Sequence, residues 1–359
     1  MKILKMLSVP LILFSNFGYP QETLLIDKNL KEEVVVKVAS IVQEKYVFAD
    51  VGEKMAKYIL TQFENGKYNS FTELEPFCMK LTSDLRDISK DRHIFVFYSP
   101  DEALLVRAKN GILPEDETKK INEQSYEADK RQNFGFKKVE IFDGNIGYLN
   151  ISYFTDIDTL EEALNGAMKF LSNSDAIIID LRDNGGGSMT PLLFSYFFSN
   201  KRIDLGGCVC RDTTQNENLW TLLNIPGKRL PDVELYILTN SKTFSAAEYF
   251  SYAMQTLKRA VVVGETTKGG AHPVDVLIVK GDILTQISIC ESYNPITKSN
   301  WEGTGVKPDI EVESENAFKI AHIKAIEHII EKTTDIEYKN ELKLLLEKLK
   351  KQYFDEKEK

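Results

Sequence analysis

Cysteine is scarce in this 359-residue chain: Cys78, Cys208, Cys210 and Cys290 are too few and too scattered for a disulfide scaffold. Cys208 and Cys210 form a Cys-x-Cys pair, but no accompanying Cys/His cluster completes a metal site, so the plain reading is thiols on strands. Oxidising export would permit a bridge among the four, with no pairing assigned by sequence. Basic surface is lacking too. The formal net charge is −9 and no stretch is strongly basic, which excludes the cationic footprint of a nucleic-acid binder. Beyond the first residues no segment has the length and apolarity of a membrane helix. Internal repeats, a G-x-G-x-x-G turn and a P-loop are all absent, which removes the usual nucleotide-binding readings. What remains, at 43% hydrophobic and 28% charged residues, is ordinary globular composition with length for two or three domains.

The N terminus carries Lys2 and Lys5 before an apolar run from Met6 to Phe14, the pattern of a secretory signal over residues 1–21, and hence of an exported protein. Residues 22–100 are read as a helical domain. Val34, Val35, Val38, Ile41 and Val42 form one apolar face, Met55, Tyr58, Ile59 and Phe63 a second, and Leu74, Phe77, Cys78, Leu81 and Leu85 a third. A strand, Ile94 to Tyr98, follows and ends at Ser99-Pro100. Residues 101–137 are polar with little periodicity and are read as a linker or surface excursion. From 138 to 314 strands alternate with helices, which predicts an α/β domain with a mostly parallel sheet. The tail, 315–359, carries two helical stripes broken at Thr333-Thr334-Asp335 and predicts a closing helical hairpin.

Two segments carry candidate chemistry. Asp180-Leu181-Arg182-Asp183-Asn184-Gly185-Gly186-Gly187-Ser188 lies at the end of an apolar strand, where consecutive glycines let amides approach a ligand; a tight connection is the alternative reading. Thr243-Phe244-Ser245-Ala246-Ala247-Glu248 opens a helix. Ser245-x-x-Glu248 has capping-box spacing, yet the same helix start offers the Ala246 amide to an oxyanion beside the Ser245 hydroxyl.

Taken with Val263-Gly264-Glu265-Thr266-Thr267 and Glu302-Gly303-Thr304-Gly305-Val306-Lys307-Pro308-Asp309, these segments resemble, in order, the tail-specific (C-terminal-processing) serine protease family. The resemblance implies a crotonase-like (ClpP-like) α/β protease domain after the helical one, with no room for a PDZ domain between them. It also implies Ser245 as nucleophile and the amides of Gly185, Gly186 and Ala246 as oxyanion hole. The lysine of the family's Gly-Lys-Gly is missing: Gly269-Gly270-Ala271 stand in its register, and Lys268 lies two positions early. The branch that includes the tricorn core and the interphotoreceptor retinoid-binding protein repeats uses or retains a histidine instead. Asp91-Arg92-His93 resembles that segment, although Arg92 stands where tricorn-like enzymes have serine, and Glu302 aligns with their glutamate.

The expected relay is therefore Ser245, His93 and Glu302, an imidazole activating a hydroxyl with a carboxylate orienting the ring. His272 is a rival base; His322 and His328, on the C-terminal stripe, read as packing or surface residues. The function expected is an exported serine endopeptidase acting on peptides or unfolded proteins without metal or cofactor. The alternative is a non-catalytic peptide- or apolar-ligand-binding module on the same fold. An unrelated α/β hydrolase is disfavoured because Ser245 has no G-x-S-x-G around it.

Overall fold

In a computed structural model, residues 24–155, 157–188 and 190–357 are described; the signal reading over 1–21 lies outside them. The chain begins with three helices, α1 (Lys28–Lys45), α2 (Ala49–Glu64) and α3 (Leu74–Ser89), and a short strand β1 (Phe95–Tyr98). Asp27 caps α1 by accepting from the Leu30 N–H. The three apolar faces meet in one core with Val34, Met55, Phe77 and Leu81 at its centre. That core is completed by Val279, Ile283 and Ile287, which lie far along the chain.

The polar stretch 101–137, read as a linker or surface excursion, contains two helices, α4 (Pro100–Lys109) and α5 (Glu115–Arg131). Ser99 caps α4 by accepting from the Glu102 N–H, and Ala103 and Val106 pack on Val276 and Leu284. Helix α5 buries no residue at all. It opens on Glu115, Asp116 and Glu117 and closes on Lys130 and Arg131, so complementarity to the helix dipole supports it where an apolar stripe is missing. Periodicity is blind to such a helix.

The next elements are β2 (Phe136–Phe142), β3 (Ile146–Ile151), α6 (Ile157–Phe170), β4 (Ala176–Asp180), α7 (Pro191–Ser195), β5 (Asp204–Cys210), β6 (Glu217–Trp220) and β7 (Glu234–Thr239). Then come α8 (Ala246–Thr256), β8 (Val261–Gly264), β9 (Val274–Lys280), β10 (Ile283–Ser288), β11 (Cys290–Tyr293), β12 (Ile310–Glu311), α9 (Ala317–Lys332) and α10 (Ile336–Lys357). The main sheet has the order β12-β8-β7-β4-β3-β2 and is parallel except for the β2–β3 pair. Its central strands are apolar throughout because both faces are covered. Ile177, Ile179, Leu235 and Ile237 face α6, α7 and α8, while Ala176, Ile178, Tyr236 and Leu238 face α9 and α10. No helix among the described residues is long and apolar enough to cross a membrane.

Two small antiparallel sheets flank this one. In the order β1-β10-β9, the strand after the helical region pairs with a hairpin of the α/β region, which brings residues 91–95 beside the ends of the main strands. In the order β11-β5-β6, Cys290 lies opposite Cys210 and is bonded to it, with the Cys208 Sγ 3.9 Å from that of Cys210. Cysteines scattered in sequence thus gather at one place. The bridge spans a sequence separation of 80, and closing a loop of that size stabilises by about 4 kcal/mol in the chain-entropy account. Cys290→Ser, or reduction of the wild type, is expected to lower the melting temperature by about 10 °C in a thermal scan.

Candidate active site

The main-sheet strands β4 and β7 end side by side, and the loops that leave them are laced together. Phe244 N–H donates to the Asn184 carbonyl at 3.0 Å, and the Thr243 hydroxyl to the Leu181 carbonyl at 2.8 Å. Asn184, fully buried, donates through Nδ2 to the Ile151 carbonyl and accepts the Gly186 N–H on Oδ1. Gly186, at φ +106°, then lies against Ser245: an added Cβ would stand 2.7 Å from the serine's own. Only glycine fits there.

Ser245 itself has φ +54° and ψ −120°, a left-handed backbone for a side chain other than glycine, which costs on the order of 1–3 kcal/mol. The conformation is held by Glu248. Its carboxylate accepts from the Ser245 N–H at 2.9 Å, from the Thr267 hydroxyl at 2.5 Å, and from the Gly269 and Gly270 N–H groups at 2.6 and 2.8 Å. Sequence spacing marks Glu248 only as half of a capping box; its hold on a loop some twenty residues downstream is visible only in the fold. Burial raises its carboxyl pKa, against which the four hydrogen bonds work.

Among the predicted oxyanion donors, Ala246 is the first residue of α8, where an N–H has no carbonyl one turn earlier within the helix. The Gly186 N–H, by contrast, is already engaged by Asn184, which corrects its assignment as a free donor. Asp180 and Arg182 form an ion pair sealed by the Tyr148 hydroxyl at 2.7 Å and by Arg182 Nη1 on the Ser314 carbonyl, so the conspicuous Asp-Leu-Arg is structural.

His93 is drawn in from the helical region and is 3% exposed. Asp91 Oδ1 accepts its backbone N–H at 2.8 Å, Arg86 donates to the carbonyls of Arg92 and Ile94, and Gln286 donates to the His93 carbonyl. The ring packs on Phe244, centroids 4.4 Å apart, next in sequence to Ser245. An added Cβ on Gly270 would come within 2.6 Å of His93 Cε1. Gly270 stands in the register of the absent lysine, and the space in which that lysine's side chain would begin is filled first by the Phe244 ring, whose Cε2 would lie 2.1 Å from the added Cβ, and then by the imidazole.

The structure does not bring Glu302 to His93. Neither His93 ring nitrogen has a hydrogen-bond partner among the described residues, and the carboxylate nearest Nδ1 is Asp91, at 3.8 Å. Glu302 turns elsewhere: Oε2 accepts the Ala271 N–H at 2.6 Å and lies 3.9 Å from His272 Nε2. Asp91 is thus the carboxylate beside the His93 ring, and it acts on His272 as well. Asp91 stands two residues before His93, close enough in sequence to mark it as a candidate partner of the ring; its other oxygen accepts from the Tyr46 hydroxyl at 3.2 Å. Burial above all lowers the His93 pKa to about 4, with Asp91 opposing, and raises that of Glu302 to about 7. Burial also lowers the pKa of His272, which is 4% exposed. The His322 ring donates through Nε2 to the Asp143 carbonyl at 2.8 Å, and His328 sits 3.5 Å from Glu234, both on α9.

Comparisons with known proteins agree with this architecture. A probable CtpA-like serine protease of Staphylococcus epidermidis is 29% identical over 224 residues, covering 58% of this chain and 42% of that protein. One of Staphylococcus aureus is 26% identical over 197 residues, covering 52% and 37%. The chain therefore matches about two fifths of the length of these curated relatives. Among solved structures, a lipoprotein from Streptococcus agalactiae superposes with a TM-score of 0.51 at 14% identity, over 83% of this chain and 97% of that one. A Parabacteroides merdae protein gives 0.50 at 19% identity, over 82% and 93%. The profile of peptidase family S41 matches residues 145–312, and that of the N-terminal domain of the family in eukaryotic interphotoreceptor retinoid-binding protein matches 24–137. With both of its halves matched in order, this chain belongs to peptidase family S41.

Proposed function

We propose that the protein is an exported serine endopeptidase that hydrolyses peptides or unfolded proteins, with Ser245 as nucleophile and His93 as general base. The observation that carries this reading is the close packing of His93 on Phe244, next to Ser245, and beside Gly270, which stands in the register of the absent lysine. His93 Nδ1 faces Asp91, which leaves Nε2 to take the Ser245 proton as the hydroxyl attacks the scissile carbonyl. The tetrahedral oxyanion then meets the Ala246 N–H, with the Gly185 N–H as its partner. Protonated His93 returns its proton to the leaving amine, and water repeats the sequence to release the acyl group. In this scheme Asp91 orients the base, and Glu302 holds the loop that carries His272. The Cys210–Cys290 bridge supports export, since such bonds persist in oxidising compartments.

A fluorophosphonate probe is expected to label Ser245 stoichiometrically, as read by peptide mass mapping, with labelling lost in His93→Ala. An unlabelled Ser245 would favour the second reading, a peptide- or apolar-ligand-binding module. That reading draws on one observation, the absence of a hydrogen bond from either His93 ring nitrogen to the serine. Such contacts commonly tighten only with substrate bound.

The pH profile provides a separate check. With its pKa near 4, His93 is neutral and able to accept a proton at any higher pH, so kcat/KM is expected to fall only as pH approaches about 4 instead of 6.5. The same shift bears on folding. Between 6.5 and about 4 the unfolded chain binds a proton here that the folded chain does not, so this stability is lost as pH falls through that window, by about 3 kcal/mol below it. Glu302 acts in the opposite sense: its folded pKa of about 7 lies above the ordinary 4.5, so its contribution is present at low pH and lost as pH rises between them. An acid limb near 6.5 in kcat/KM would remove His93 from the role of base.

A further inference from the structure

Beside Ser245 the protein gathers two cations that form no ion pair among the described residues. Lys268 is fixed there by its backbone, its N–H donating to the Thr243 carbonyl at 3.0 Å. Its ammonium lies 4.7 Å from the centroid of the Phe244 ring, the ring that also packs on His93. Arg92 reaches the same loop from the helical region and donates through Nη1 to the Lys268 carbonyl. Arg86 stands behind both but is occupied, donating to the Ile94 and Arg92 carbonyls and lying over the Phe95 ring at 4.0 Å.

Among the described residues neither Lys268 nor Arg92 forms an ion pair with a carboxylate. The anion that interacts with Lys268, Glu248, has both oxygens committed to the Ser245, Thr267, Gly269 and Gly270 donors. Burial, and then repulsion from Arg86 and Arg92, lowers the Lys268 pKa. Two cations drawn from distant parts of the chain thus meet at the loop that also carries Gly269 and Gly270, beside the ring that precedes Ser245. A carboxylate placed between them would relieve their repulsion and accept hydrogen bonds that neither now donates to an anion.

We propose that Lys268 Nζ and the Arg92 guanidinium form a subsite for a substrate carboxylate next to the scissile bond, so that the enzyme prefers peptides carrying an acidic side chain or a free C-terminal carboxylate there. The inference rests on the endopeptidase reading above. It also gives Arg92, the residue that departs from the serine of tricorn-like enzymes, a task of its own: it ties the helical region to the loop and turns a cation toward the substrate.

The test uses matched peptides on the full chain. One pair differs only in a free C-terminal carboxylate against its amide, the other only in Glu against Gln flanking the scissile bond. The wild type is expected to favour the carboxylate member of one pair by about 10- to 100-fold in kcat/KM, chiefly through KM, the worth of a charge-assisted hydrogen bond. Whichever pair shows the preference identifies the source of the carboxylate. Lys268→Met is expected to bring that ratio toward one, Arg92→Gln to reduce it, and Lys268→Arg to retain most of it. Absence of a preference in both wild-type pairs would overturn the subsite, and so would a Lys268→Met variant that keeps the wild-type ratio. Loss of all turnover on both members in Lys268→Met would overturn it in favour of Lys268 as the proton acceptor. Calorimetric binding of the same pairs to Ser245→Ala reads the subsite without catalysis. Carboxylate-selective binding there, together with a wild type that does not react with the fluorophosphonate, would sustain the subsite and refute the peptidase; equal binding of both members would refute the subsite alone.

Discussion

Ser245→Ala is expected to reduce peptide hydrolysis by about 10⁴- to 10⁶-fold while leaving the fold intact, because the backbone N–H that Glu248 anchors is kept and only the hydroxyl is lost. A companion variant separates chemistry from strain. Ser245→Gly removes the same hydroxyl but accepts φ +54° without the cost borne by a residue with a Cβ. It is expected to be equally inactive and more stable than Ser245→Ala by about 1 kcal/mol, a rise of a few degrees in melting temperature. Steady-state kinetics with thermal unfolding of the two variants checks both statements. Turnover surviving in either one would remove Ser245 as nucleophile; a glycine variant no more stable than the alanine variant would show that the helix start relaxes at no cost.

The second large effect belongs to Glu248, which is 0% exposed and accepts four hydrogen bonds from two loops. Glu248→Ala leaves three backbone N–H groups and the Thr267 hydroxyl without their acceptor. Each orphaned donor costs about 1–3 kcal/mol, softened by whatever water enters the space. A net loss of about 4 kcal/mol and a melting temperature lower by about 10 °C are expected. Glu248→Gln preserves volume but turns an NH₂ group toward N–H donors, so it is expected to recover less than half of that loss. Both variants should also be inactive, because Gly269 and Gly270 belong to the loop against which His93 is seated. Thermal scans paired with fluorophosphonate labelling test this. A Glu248→Ala protein that melts like wild type, or that is labelled at the wild-type rate, would show that the glycine loop holds its place by other means, such as the Trp301 indole on the Gly270 carbonyl at 2.9 Å.

Much of the fold was legible because its pieces are written in short range. The uninterrupted run Ala176-Ile177-Ile178-Ile179 announces a strand covered on both faces, and the structure divides it between two cores as alternation requires. The three apolar faces before residue 90 announce three helices, and the triple glycine and Ser245 are found at the ends of the strands after which they were expected. Helix α5 escaped because its stability comes from charge at its two ends, with no buried stripe for periodicity to detect.

Within the site, sequence named Ser245 and His93 as candidates, and the fold brings the helical region's imidazole against the residue preceding the serine. It could not say which carboxylate faces which ring. Glu302 aligned well with the third member of a known relay, yet the distances give Asp91 to His93 and Glu302 to His272. A motif preserves residue types, whereas the partner of a ring is decided by long-range packing, such as the Trp301 indole on the Gly270 carbonyl, that no local pattern encodes. The Cys210–Cys290 pairing was equally closed to inspection, since it follows from the register of two antiparallel strands distant in sequence.

By itself, then, the amino-acid order determined the elements of this protein and the residue types able to do chemistry, because hydrophobic period, glycine and helix-start signals act within a few residues of one another. The tertiary structure alone decided how those residues pair: Glu248 with the glycine loop, His93 with Phe244 and Gly270, Arg92 with the Lys268 carbonyl. Hydrogen bonds and charge interactions depend on separations of a few ångströms, and such separations between residues distant in the sequence exist only once the chain has packed.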